Sequence, residues 1–406
     1  MVEFLQLPEE TRRTLIGQVN TKTGMSVQAI EKDWWVTLVL KALFSLPMEE
    51  HFIFKGGTSL SKGWKLIDRF SEDIDIALAP EAFDRGYQET PSISYVKRLK
   101  KEGCEFTSTV IRNALEQKLA EMKIPDGMIQ IEAEAVNPKI PDKDPQTIYV
   151  KFPSLFDASK YIDTAVKIEF GVRALKEPFT TVAIQSIIAI ESSTPAYKEE
   201  PFAVTVVEPR KTFMEKLMLL HEKFLTGRAE GDAGERQSRH LSDLLQMKKK
   251  GIVEQVFSDP ELYELLLHHR RHYIKLKDVD YDSMELRQLF FLPPWELLKE
   301  FRRDYEIMLE EMIYGNPPDF DTLINGLREL NLELAAQGHK QNMDEVIARA
   351  KQQIADEKLE GDVIQTMVVY KIEPHLPEEP DNIAIKFIAE FINTKSGMIF
   401  HRIRVA

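Results

Sequence analysis

Between Phe52 and Leu78 the chain passes from an apolar run through a double glycine into a stretch that alternates acids with aliphatic residues, and few folds accommodate that order. Phe52-Ile53-Phe54 is short, aromatic and β-branched, which predicts a buried strand. Gly56-Gly57 breaks it, and Thr58 or Ser59 can cap a following helix that carries Leu60, Trp64 and Ile67 on one face. A glycine turn that opens a helix lets backbone N–H groups approach an anion, and the helix dipole favours the negative charge. Lys55, Gly56, Gly57, Thr58, Ser59 and Lys62 are therefore candidate nucleotide-binding residues. The Ser59 hydroxyl could donate to a phosphate oxygen, and the two lysines add positive charge. The turn by itself equally fits an ordinary strand–turn–helix connection, and it lacks the G-x-x-x-x-G-K-[ST] spacing of a Walker A loop.

Asp73, Asp75 and Ala77 alternate with Ile74, Ile76 and Leu78. Period two in a strand puts both carboxylates on one face. Adjacent carboxylates repel unless a cation or hydrogen bonds compensate. Hard oxygen ligands suit Mg²⁺ (or Mn²⁺), which shares its shell with waters and substrate phosphates. An isolated pair of this kind also fits an edge strand with a solvated acidic face. Its distance from Gly57 leaves room for one short helix and a turn, so phosphate turn and acids can share one end of a sheet around an NTP. Ala165–Arg173 is a further strand candidate, with Glu169 on the face of Lys167 and Gly171. Glu169 could hold the second ion of a two-metal site or act as base.

Phe54–Lys62 together with Arg69-Phe70-Ser71-Glu72-Asp73-Ile74-Asp75 closely resembles the first two motifs of the AbiEii/AbiGii toxin family, in the DNA polymerase β-like nucleotidyltransferase superfamily. Ile30-Glu31-Lys32-Asp33-Trp34-Trp35-Val36-Thr37 is similar to its N-terminal helix signature, and Lys167-Ile168-Glu169-Phe170 with Arg173 to its third acidic strand. Glu215-Lys216-Leu217 resembles its helical lysine motif, and Arg239–Leu244 its last motif, with His240 where the family often has an acid. The resemblance covers roughly residues 15–250. It implies NMP transfer from an NTP with Mg²⁺, and catalytic or nucleotide-binding roles for Asp73, Asp75, Glu169, Lys216, Arg239 and Asp243. Some members are toxins that modify tRNA acceptor ends and are paired with an antitoxin. On the residues alone, Lys216 flanks an apolar helical stripe of Phe213, Leu217, Leu220 and Phe224, and fits a snorkelling surface lysine as well as a phosphate ligand.

The fold expected is α/β (α+β): a nucleotidyltransferase-type mixed sheet flanked by helices over 1–205, a helical region over 206–358, and a small C-terminal β element over 359–406. An amphipathic helix is expected over 26–46 and helices over 93–123, 209–226 and 236–250, the last two joined by the loop Thr226–Gly234; strands are expected over 128–136, 147–152 and 163–173, a nearly all-helical pattern from about 253 to 358 with breaks at Pro293-Pro294 and at Gly315-Asn316-Pro317-Pro318, and a turn over Glu373–Pro380; 181–193 fits helix or strand. One cysteine, Cys104, excludes a disulfide framework and a cysteine-rich zinc site. No signal peptide and no long apolar run is visible, so a cytoplasmic location is expected. A net charge of −13 argues against nonspecific coating of nucleic acid and restricts any tRNA contact to local patches. Candidates are Lys248-Lys249-Lys250 with Arg228, Arg236 and Arg239, and His268-His269-Arg270-Arg271-His272; each also fits a solvated helix end. Two functional classes stay open: a nucleotidyltransferase acting on RNA or a protein hydroxyl, and a catalytically inactive module of the same fold that binds nucleotide or a partner.

Overall fold

The computed structural model describes residues 1–137, 139–157, 162–192, 197–226, 237–282, 284–335, 343–372, 383–394 and 397–405. Seven strands form one mixed sheet: β1 (Phe52–Lys55), β2 (Ile74–Leu78), β3 (Gln130–Ala133), β4 (Gln146–Lys151), β5 (Ala165–Gly171), β6 (Phe179–Ile184) and β7 (Phe202–Val207). Their spatial order is β3-β4-β5-β2-β1-β7-β6. β2 pairs with β5 in parallel and β1 with β7 in parallel, while β1 and β2 are antiparallel. The ambiguous 181–193 resolves into β6 followed by the helix Ile187–Glu191. β7 was not expected, although Phe202-Ala203-Val204-Thr205-Val206-Val207 carries a β-branched signal; it occupies a central position beside β1.

Period two sorts the sheet into a core face and a second face. Phe52, Phe54, Ile74, Ile76, Leu78, Val166, Ile168 and Phe170 are buried in one core with the helix Val27–Leu43. That helix was expected to be amphipathic over 26–46. Instead almost every residue of it is buried, including Glu31, Lys32 and Asp33, and Ser26 caps its start by accepting from the Ala29 N–H.

Two compact units divide the chain. The first comprises Met1–Thr212, His272–Ile274 and Leu309–Pro317, and the second Phe213–Arg271, Lys275–Met308 and Pro318–Ala406. Helices Pro209–Leu225 and Ser238–Lys249 lie where the sequence puts them. The nearly all-helical pattern expected from 253 is interrupted more widely than at Pro293-Pro294: between Ile274 and Leu298 the described residues hold only two short 3₁₀ turns. The expected C-terminal β element is a three-stranded sheet of β8 (Val363–Ile372), β9 (Ile383–Thr394) and β10 (Gly397–Val405). It shares a core with the helices Phe320–Ala335 and Met343–Glu357 through Leu332, Val346, Ile354, Phe391 and Phe400, and so falls inside the second unit. No helix among the described residues is long and apolar enough to cross a membrane. The expected loop Thr226–Gly234 and the turn Glu373–Pro380 fall almost wholly outside the described residues, as do Arg228 and Arg236.

Candidate functional site

The second face of the sheet carries the acids. Parallel register sets Asp75 beside Glu169, and Ile74 beside Ile168, which places Asp73 at the level of Lys167. On the other side Lys55 pairs in register with Asp75. Lys55, Asp75 and Glu169 thus form one row across three strands, and Asp73 and Lys167 a second row. Lys167 Nζ is 2.7 Å from Glu169 Oε1. Burial alone would lower the Lys167 pKa, but Glu169, with Asp73 adding to it, holds the ammonium above the usual lysine value.

The turn meets this block through Gly56. Its φ is +77°, and a Cβ placed there would lie 2.0 Å from Asp75 Oδ2. Only a residue without Cβ lets the carboxylate sit against the backbone here. A Cβ on Gly57 would lie 2.5 Å from an Arg69 guanidinium nitrogen and 2.8 Å from Ser71 Oγ. Thr58 Oγ1 donates to the Asp73 carbonyl at 2.5 Å and lies 2.9 Å from Ser71 Oγ, tying turn to acid loop. Gly56–Thr58 is α-helical and Ser59–Gly63 continues it as one π turn. The expected helix through Ile67 is therefore a short one, starting at Gly56 rather than after a Thr58 or Ser59 cap. The Trp64 indole leaves the expected stripe and donates to the Val207 carbonyl at 3.0 Å.

Two candidates from the turn point elsewhere. The Ser59 hydroxyl is buried and donates to the Gly56 carbonyl at 2.8 Å. Lys62 Nζ is 2.5 Å from Asp33 Oδ1, with both side chains under a tenth exposed. A cavity of about 260 Å³ adjoins this pair, walled also by Arg69, Phe70, Ile187 and Tyr314. Lys32 forms a second buried pair with Glu72, at 2.6 Å. Neither Lys32 nor Glu72 was singled out from sequence. The available signal was three consecutive charged residues, Glu31-Lys32-Asp33, inside an otherwise apolar helix.

Lys216 and Asp243 meet within the second unit, at 2.9 Å, with Asp243 fully buried. Lys216 Nζ is also 3.3 Å from His240 Nδ1. Desolvation, then the charges of Lys216 and Arg239, push the His240 imidazole well below its usual pKa, so it faces Lys216 as a neutral acceptor. Arg239 makes no hydrogen bond or ion pair among the described residues. Arg270, within the His268–His272 run, is not a solvated helix-end residue. Arg270 grips buried Glu222 through both Nε and a terminal nitrogen, and the Tyr281 hydroxyl donates to Glu222 at 2.8 Å. Lys248 is near Glu329 and Glu333 on the helix Phe320–Ala335, whereas Lys249 and Lys250 are exposed.

The donor set suits a hard divalent ion. Asp73 and Asp75 offer oxygens at the start of β2, and the Gly56 cradle keeps the backbone clear of the Asp75 carboxylate. Among the described residues no group of three or more acid, histidine or cysteine side chains is placed to hold a metal ion. Mg²⁺ does not require one, because one or two carboxylates with waters and substrate phosphates complete its shell. A mixed sheet bearing a glycine turn and a paired-aspartate strand at one end defines a nucleotidyltransferase-type protein. A family model described as nucleotidyl transferase AbiEii toxin, Type IV TA system, matches residues 38–326, and the chain belongs to that family. No curated protein and no solved structure matches it.

Proposed function

We propose that this chain is a metal-dependent nucleotidyltransferase that moves an NMP from an NTP to a hydroxyl of a tRNA-like RNA, and that it is a toxin restrained by a cognate antitoxin. The reading is carried by the block of Asp73, Asp75, Lys167 and Glu169 on one sheet face, with Asp75 seated against Gly56 of the turn. Asp73 and Asp75 would hold Mg²⁺ or Mn²⁺, a pair of carboxylates being enough when waters and substrate phosphates complete the shell. Such an ion, when bound, supplies charge neutralisation at the phosphate oxygens. Backbone N–H groups of Gly57 and Thr58 and the Lys55 ammonium receive phosphates. The acceptor oxygen bonds the α-phosphorus, the bond to the bridging oxygen of pyrophosphate breaks, and Glu169 takes the hydroxyl proton. Lys167 keeps the three carboxylates from repelling one another before substrate arrives. Within the second unit, Lys216, held by Asp243, and Arg239 are the cationic side chains to which the family resemblance assigns a nucleotide-binding role.

The test is incubation with each α-labelled NTP, Mg²⁺ and total RNA, beside Asp75→Asn. Label on RNA that is absent with the variant is the expected result. Label on protein instead would reassign the acceptor. Transfer that survives Asp75→Asn would refute the mechanism, and NTP binding without transfer would favour an inactive module. Growth arrest on expression, relieved by a protein encoded alongside, is the expected physiological outcome.

A further inference from the structure

The helix Val27–Leu43 lies against the core face of the sheet, the face opposite the acids. Three consecutive charged side chains on it are buried, and each is spent on a different segment. Glu31 accepts from the Ser154 hydroxyl at 2.5 Å and the Leu155 N–H at 2.8 Å. Lys32 pairs with Glu72 at 2.6 Å, the two residues being 2% and 6% exposed. Asp33 accepts from Lys62 at 2.5 Å and, through its other oxygen, from the Ile187 N–H at 2.8 Å.

Two of these links end on the segments that form the site. Glu72 immediately precedes Asp73, and Lys62 lies in the helical turn that Gly56-Gly57 opens. Residues 71–75 alternate between half-buried and buried, so Glu72 faces the opposite way from Ser71, Asp73 and Asp75. A one-residue slip would send both aspartates to the core face. Anchoring Glu72 behind the sheet excludes that slip. Buried ion pairs are a poor source of net stability, since apolar residues of similar volume often do as well. Their presence in an otherwise apolar core therefore calls for a geometric reason.

We propose that Lys32 and Asp33 are positioning residues for the metal and phosphate site, Lys32 setting Asp73 and Asp75 through Glu72 and Asp33 setting the glycine turn through Lys62. The inference rests on the transferase reading, deepens it, and concerns groups that touch neither substrate nor metal.

The experiment is Mn²⁺ titration by calorimetry, with thermal melts, on the full chain. The paired replacement Lys32→Met with Glu72→Leu removes both charges together and keeps the volume. The expected result is a melting temperature near wild type with Mn²⁺ affinity lower by ~10–100-fold, the range typical when residues that orient metal ligands are lost. Lys32→Arg, which preserves the pair, is expected to retain binding. A paired variant that folds and binds Mn²⁺ like wild type would overturn the proposal and leave the transferase reading untouched. If that variant does not fold, Glu72→Gln decides: weaker Mn²⁺ binding is expected, and unchanged binding overturns. A wild-type chain that binds no Mn²⁺ would remove the metal-site reading itself and this inference with it, before any substitution is compared.

Discussion

Gly56→Ala offers a perturbation whose two consequences can be separated. Residue 56 has φ +77°, where an L side chain costs roughly 1–2 kcal/mol. Its Cβ would also lie 2.0 Å from Asp75 Oδ2, whereas ordinary contact begins at 3.4 Å. The carboxylate must retreat by more than ~1 Å, and a misplacement of that size can cost ~10²-fold in rate, or about 2.7 kcal/mol of barrier. Gly24→Ala is the control. Gly24 has φ +75°, ends the helix Glu9–Thr23, and has nothing within 4 Å of its Cβ position. Both variants should lose roughly 2–8 °C in Tm from backbone strain alone. Only Gly56→Ala should lose Mn²⁺ affinity in calorimetry and about two orders of magnitude in label transfer. Equal metal affinity and turnover in the two variants would show that the seat of Asp75 against the turn has no functional weight, and the reasoning would fail.

Two other outcomes follow from the same structure. Lys167→Met removes the cation beside Glu169 and Asp73; without metal the variant should lose up to roughly 1 kcal/mol, as for a partly exposed pair, and gain more from added Mn²⁺ than wild type does. Calorimetric melts with and without Mn²⁺ check this, and a smaller gain would contradict it. His221 and His401 have pKa values lowered from 6.5 to about 4, chiefly by burial. Because the unfolded imidazole binds its proton first, stability is full above pH ~6.5 and declines as pH falls toward 4, by up to about 3 kcal/mol per histidine. His401→Leu should flatten that decline in Tm-against-pH scans, since neither ring nitrogen has a hydrogen-bond partner among the described residues, and an unchanged slope would count against it.

Much of the site could be read locally. Strand, double glycine, turn and alternating acids are consecutive, so their order and facing depend on short-range sterics and on period two. β1, β2 and β5 lie where their patterns put them. Other features depended on neighbours distant in sequence. The charged triplet Glu31-Lys32-Asp33 reads as a polar interruption of an amphipathic helix, and becomes a set of buried anchors only when Glu72, Lys62 and Ser154 are brought to it. Arg270 reads as part of a basic cluster until Glu222 is placed against it. Likewise the short run that forms β7 acquires meaning from its place beside β1.

The sequence by itself determined that a glycine turn would leave an apolar strand and that Asp73 and Asp75 would share a face, because those outcomes follow from backbone sterics within a few residues. Only the tertiary structure decided that Glu169 stands in register with Asp75, that Lys167 balances the acids, and that Lys62 turns to Asp33. Strand register and the pairing of buried charges are settled by desolvation and packing across the whole core, and that information is not contained in any one segment.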